Sequence, residues 1–128
     1  MNYTVGLLFS EDKKKIVLML KNRPSFHAGL YNAPGGKVEA GEAPIQNVVR
    51  EIYEETGIVT DWKDWEEVLV YPGREESGFK AIYVYKTVVD VNKAYTKEDQ
   101  PVEVFDVNNL PENRVKNLSW MIDAALTN

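Results

Sequence analysis

The sequence has no cysteine and a single histidine, His27. Disulfides, thiolate nucleophiles and cysteine-ligated zinc are therefore excluded, as are metal sites that need two or three imidazoles. Basic residues are also in short supply. Fifteen Lys and Arg face twenty Asp and Glu, for a formal charge of −5. A chain of that sign is not built for bulk binding to a phosphate backbone. The longest strictly aliphatic run, Ile16 to Leu20, falls far short of a membrane span. Residues Met1 to Val5 lack the basic and apolar regions of a secretory signal. The expectation is a cytoplasmic protein with neither a nucleic-acid polymer nor a membrane as partner.

The 128 residues, 44% of them apolar, suffice for one core. No repeat, low-complexity tract or linker breaks the chain, so 1–128 is expected to be one domain. Tyr3, Val5, Leu7 and Phe9 alternate, as in a half-buried strand. Ile16 to Leu20 suits a strand buried on both faces. Asn22 to Gly36, with Pro24, Gly29, Pro34, Gly35 and Gly36, should be mostly loop. Ile45, Val48, Val49 and Ile52 form one helical stripe, with Pro44 near its start and Gly57 suited to its end. Trp65 to Tyr71 and Phe79 to Val91 should be strands with a turn at Pro72-Gly73, and Val102 to Val107 a short strand. Leu118, Met121, Ile122 and Ala125 mark a second helix. This order predicts an α/β (α+β) fold, a mixed sheet with a helix on each face.

The first helix breaks two local rules. Glu51, Glu54 and Glu55 share one arc of roughly 100° beside the apolar stripe. Glu51 and Glu55 are a like-charge i,i+4 pair, and all three sit where the helix dipole favours cations. A solvated charged face is the ordinary explanation of such a cluster. The other is a bound divalent cation, for which hard carboxylate oxygens select Mg²⁺ or Mn²⁺. Arg50 is placed to pair with one carboxylate.

The stretch Gly36-Lys37-Val38-Glu39-Ala40-Gly41-Glu42, then seven residues, then Arg50-Glu51-Ile52-Tyr53-Glu54-Glu55-Thr56-Gly57-Ile58 resembles the Nudix box, G-x5-E-x7-R-E-U-x-E-E-x-G-U. It matches at every defined position. The resemblance implies the Nudix α/β/α sandwich and hydrolysis of a nucleoside diphosphate linked to another group. It implies Mg²⁺, replaceable by Mn²⁺, on Glu51, Glu54 and Glu55, with the Gly35 carbonyl as a further ligand. Arg50 would orient a catalytic Glu, and Glu42 would support the site from the helix start. Gly35 and Gly36 would let the backbone approach the metal and phosphates. Water attack on a phosphoanhydride suits this composition, since it requires neither His nor Cys.

Three shorter stretches are similar to MutT-type nucleoside triphosphate pyrophosphohydrolases, which clear oxidised nucleotides such as 8-oxo-dGTP. Arg23 follows the second strand, where those proteins place a phosphate-contacting Arg. Pro34-Gly35-Gly36-Lys37 matches their P-G-G-K turn, putting Lys37 near the phosphates. Lys97-Glu98-Asp99-Gln100-Pro101 resembles their K-E-x-Q-P run, which makes Glu98 a metal-site carboxylate and a candidate general base, in competition with Glu51. Asn32 and Asn117 are candidates for reading the base, although Asn117 also suits a helix N-cap. Tyr31, Tyr71, Phe79 and Trp120 could stack on a base or pack in the core. His27 is expected in a loop or against substrate. The strand pair around Pro72-Gly73-Arg74 departs from the MutT-type pattern. No further signature marks ADP-ribose, NADH, coenzyme A or dinucleoside polyphosphates. The implied substrate is a (d)NTP or oxidised dNTP, with ADP-ribose, a nucleotide sugar, a dinucleoside polyphosphate or a non-catalytic nucleotide-binding module as alternatives. The implied state is a monomer or homodimer.

Overall fold

The computed structural model describes residues 1–23, 25–75 and 78–127, with the side chains of Arg74, Glu75 and Phe79 outside the description. The expectations for Pro24 in its loop and for the Phe79 ring thus lie outside the described residues. Six strands form one sheet: β1 (Asn2–Phe9), β2 (Lys15–Leu20), β3 (Tyr31–Asn32), β4 (Glu66–Glu75), β5 (Gly78–Val88) and β6 (Val102–Asp106). Their order is β3-β2-β1-β5-β4, with β6 paired to β2. β1 and β5 run parallel, from Asn2 opposite Ala81 to Phe9 opposite Val88, and the other pairs are antiparallel. The sheet is therefore mixed, as expected.

Helix α1 (Pro44–Thr56) lies on one face and helix α2 (Leu118–Thr127) on the other. On the α2 side, Leu118, Met121, Ile122 and Ala125 pack with Val5, Leu7 and Phe9 of β1. On the α1 side, Val48 and Ile52 pack with Leu8, Val17, Trp65 and Tyr85. Proline opens α1, and the Gln46 side chain accepts the Ala43 N–H at 2.8 Å. Gly57 closes it at φ +77°, donating its N–H to the Tyr53 carbonyl, a left-handed conformation that glycine adopts without a Cβ clash.

Three expectations need correction. β1 is not half-buried, because Thr4 to Phe9 are all buried. The sheet is covered on both sides, so the residues between the alternating hydrophobes face α1. Pro72-Gly73 is not a turn: these residues pair with Ala81 and Lys80 inside the β4–β5 ladder. β4 ends the strand order, and an edge strand tolerates the missing proline N–H. β5 stops at Val88 rather than Val91. Val91–Lys93 turn into a short 3-10 helix, capped by the Asp90 carboxylate, which accepts the Asn92 N–H.

Gly6 sets how closely α1 approaches. A Cβ there would lie 2.8 Å from Ile52 Cδ1, 3.0 Å from Val48 Cγ2 and 3.1 Å from Trp65. Gly6→Val should cost about 1–3 kcal/mol by overpacking, read from the urea-denaturation midpoint. An unchanged midpoint would contradict this seating of α1.

Candidate functional site

The turn before α1 and the last two turns of α1 build one site. β1 holds the turn by backbone hydrogen bonds, Thr4 N–H to Gly36 O and Gly6 N–H to Pro34 O, both 2.8 Å. Asn47, wholly buried, ties the turn to the helix. Its amide donates to Lys37 O at 2.8 Å and to Glu42 at 3.0 Å, and Thr4 donates its hydroxyl to the Asn47 carbonyl oxygen. A Cβ on Gly36 would collide with the Glu51 carboxylate, so the glycine lets the turn lie against that group.

Arg50 is the electrostatic centre of this arrangement. Its Nε and Nη2 grip both oxygens of Glu42 at 2.8 and 3.1 Å, and its Nη1 reaches Glu51 and Glu54, each at 3.0 Å. The forked bond to Glu42 is the geometry in which charge-assisted pairs are strongest. It holds the Glu42 carboxyl down at about 2, helped by the Glu39 N–H and the Asn47 amide. Arg50 itself is raised further by Glu42 first, then by Glu51 and Glu54.

The helix carboxylates grade from wet to dry. The Glu54 side chain is 44% exposed and that of Glu51 17%, whereas Glu55 as a residue is 5% exposed. Glu55 accepts the Gly35 N–H at 2.9 Å. Its carboxyl is pushed up to about 7, chiefly by burial and then by Glu51, with Lys21 and the Gly35 N–H opposing. Burial also raises Glu51, against Arg50. Glu98 is exposed and adds negative potential to both Glu51 and Glu55.

These groups open on a cavity of about 1300 Å³. Of the residues singled out in the sequence, Arg23, Asn32, Gly35, Lys37, Glu51, Glu54, Glu55, Glu98 and Asn117 line it, together with His27 and Tyr71. Arg23 is already paired: its Nη1 holds Asp99 at 3.0 Å and Asn22 at 2.9 Å. Lys37 is exposed at the rim. Asn32 accepts the Ala33 N–H with its own side chain. The Asn117 side chain accepts the Trp120 indole N–H at 3.1 Å, and among the described residues no α2 backbone N–H donates to it. His27 is half-buried and lowered by burial, then by Lys21 and Lys80. Tyr31 and Trp120 do not line the cavity. Tyr31 packs edge-on against Phe105 and bonds Glu103, and Trp120 packs against Tyr71.

Sequence reading passed over Lys21, Lys80, Lys116 and Gln100, which also line the cavity. Gln100 is 2% exposed and accepts the Asn22 N–H at 2.9 Å. It lies in the polar run Thr96 to Gln100, whose composition alone suggests a surface loop. Asn47 was recoverable, since it sits one turn before Glu51 on the same flank of α1.

The donor set fits a hard divalent cation. Glu55 is a dry carboxylate, and the neighbouring Lys21 only partly opposes the effect of its burial. Glu51 and Glu54 share one guanidinium. Among the described residues, as they are placed, no group of three or more His, Asp or Glu side chains stands close enough together to hold a metal ion. Arg50 would have to yield part of its hold on Glu51 and Glu54 to a metal, while its grip on Glu42 kept it in place.

A NUDIX domain model matches residues 2–124, and the chain belongs to the Nudix family. An ADP-ribose pyrophosphatase of Methanocaldococcus jannaschii is 35% identical over 82% of this chain and 62% of the relative. An 8-oxo-dGTP diphosphatase of Escherichia coli is 41% identical over 42% of this chain and 41% of its own length. The chain thus spans about three-fifths and two-fifths of these two relatives. The NUDIX domain of NrtR from Shewanella oneidensis, solved with ADP-ribose, superposes with a TM-score of 0.80 at 19% identity, covering 99% of this chain and 86% of that one. No helix among the described residues is long and apolar enough to cross a membrane.

Glu55 makes the metal-free protein sensitive to pH. Burial pushes its carboxyl from the ordinary 4.5 up to about 7. A raised folded-state value means stability that is full below pH 4.5 and lost as pH rises through 7. With a chelator present, Glu55→Gln should raise stability at pH 8 by on the order of 1–3 kcal/mol and change little at pH 4. Denaturant titrations at both pH values read this, and a loss of stability at pH 8 would contradict it.

Proposed function

We propose that this chain is a divalent-metal-dependent pyrophosphohydrolase acting on a nucleoside diphosphate linked to a further group. The observation that carries the reading is that Glu51 and buried Glu55 meet the Gly35-Gly36 turn and, with Glu54, line a cavity also lined by Lys21, Arg23, Lys37, Lys80 and Lys116. The lysines suit the phosphates, and the carboxylates suit Mg²⁺ or Mn²⁺. When bound, the cation neutralises phosphate charge and acidifies water. Glu51, Glu54, Glu55 and the Gly35 carbonyl would hold it, with Glu98 close enough to act on Glu51 and Glu55.

The chain's own residues then have separate tasks. Arg50, fixed by Glu42, orients Glu51 and Glu54. Glu98 or Glu51 takes the proton from the attacking water as its oxygen bonds to phosphorus and the bridging P–O bond breaks. Lys37 and Arg23 hold phosphate oxygens, Arg23 by exchanging Asp99 for the substrate. Asn32 and Asn117 keep amide donors at the cavity wall for a base.

Within this class a nucleoside triphosphate, including an oxidised one, is the first substrate reading. It rests on Glu98, Asn32 and Asn117 sharing the cavity. Water attack at the β-phosphorus would give a monophosphate and pyrophosphate. ADP-ribose is the second reading, favoured by the archaeal relative that matches 82% of this chain.

Purified protein with Mg²⁺ should release nucleoside monophosphate and pyrophosphate from one or a few of a panel of dNTPs and 8-oxo-dGTP, resolved by ion-exchange chromatography. Cleavage of ADP-ribose alone would select the second reading. Glu54→Gln or Glu55→Gln should lower kcat by at least about 10²-fold with the fold retained by circular dichroism. Full activity in either variant would overturn the metal assignment.

A further inference from the structure

We infer that Tyr53 and Lys97 form a clasp, seconded by Tyr95, that positions Glu98 over the carboxylates of α1. The inference rests on the hydrolase reading above and names positioning residues for it. Glu98 makes no hydrogen bond or ion pair among the described residues, and its own side chain is exposed. Its place beside Glu51 and Glu55 must therefore come from the loop that carries it.

That loop is tied to the end of α1 at several points. The Tyr95 N–H donates to Thr56 O at 2.9 Å. The Tyr95 ring lies on Gly57, where any Cβ would collide with it. Lys97 Nζ sits 3.6 Å from the centre of the Tyr53 ring, within the range of a cation–π contact. Farther along, Val102 N–H donates to the Thr96 hydroxyl and Gln100 accepts the Asn22 N–H, both 2.9 Å. Glu98 thus directly follows Lys97, which is clasped to the helix, whereas the pair that Asp99 makes with Arg23 is given up when substrate binds in the reading above.

Two features of α1 become intelligible. Tyr53 is a large ring 47% exposed on the helix surface, and Lys97 is its partner. The last turn of α1 has no basic residue of its own. Lys97 brings a positive charge to that end from the loop, which the helix dipole and the nearby carboxylates favour.

The test is epistasis with Glu98. Tyr53→Leu and Lys97→Met should each lower kcat about tenfold with KM nearly unchanged, since displacement of a reacting group by a fraction of an ångström costs that much. Tyr53→Phe and Lys97→Arg keep the ring and the cation and should restore most of the rate. In a Glu98→Gln background neither Tyr53→Leu nor Lys97→Met should cost anything further. Wild-type kcat in Tyr53→Leu at an unchanged Tm would overturn the clasp. So would the same loss in the Glu98→Gln background, or a Glu98→Gln variant with full activity. Should the wild-type protein turn over no nucleotide, the hydrolase reading fails and a Mn²⁺ titration followed by electron paramagnetic resonance decides the clasp alone. Equal weakening of Mn²⁺ by Tyr53→Leu and Glu98→Gln would uphold it, and unchanged affinity in Tyr53→Leu would overturn it.

Discussion

The guanidinium of Arg50 joins the beginning of α1 to its end. It grips Glu42 with two nitrogens and holds Glu51 and Glu54 with the third. Like charges crowded at the negative end of a helix repel one another and the dipole. One planar cation with five donors can answer several carboxylates at once, which an ammonium on a flexible stem does less well. Glu42 is in turn held by the Glu39 N–H and by Asn47, and Asn47 by Thr4 of β1. The carboxylates are thereby referred to the central strand of the sheet.

Arg50 does not reach Glu55. That group is drier than its neighbours, and the Gly35 N–H with Lys21 only partly offsets its burial. A buried carboxylate without a full counter-charge costs stability in the folded state. Retaining one on the floor of a cavity is the kind of local conflict that marks a functional position. A divalent cation would resolve it more completely than any single lysine, in a cavity that Lys21, Lys37, Lys80 and Lys116 also line.

Much of this was legible in the sequence because its signals are local. The stripe Ile45, Val48, Val49 and Ile52 and the punctuation by Pro44 and Gly57 define α1 within the chain itself. The arc shared by Glu51, Glu54 and Glu55 follows from helical geometry alone. Long-range placement was less legible. Pro72-Gly73 resembles a turn until β4 is known to be an edge strand. Tyr3, Val5, Leu7 and Phe9 suggest one buried face until Gly6 is seen beneath α1. Gln100, in a run of polar residues, gives no sign that the loop folds inward over it. Tyr31 and Trp120 carry the same stacking chemistry as Tyr71, and only the tertiary fold turns them away from the cavity. Arg23 announced a cation near the site, but its pairing with Asp99 depends on a loop more than seventy residues away.

The central claim is that Glu51, Glu54 and Glu55 form a divalent-cation site which Arg50 braces. Crystals grown with Mn²⁺ and measured at the manganese absorption edge test it most directly. The account predicts an anomalous peak bounded by these three carboxylates and the Gly35 carbonyl, with Arg50 still forked onto Glu42. Ordered density for the three side chains with no peak among them, or manganese bound only elsewhere, would contradict it.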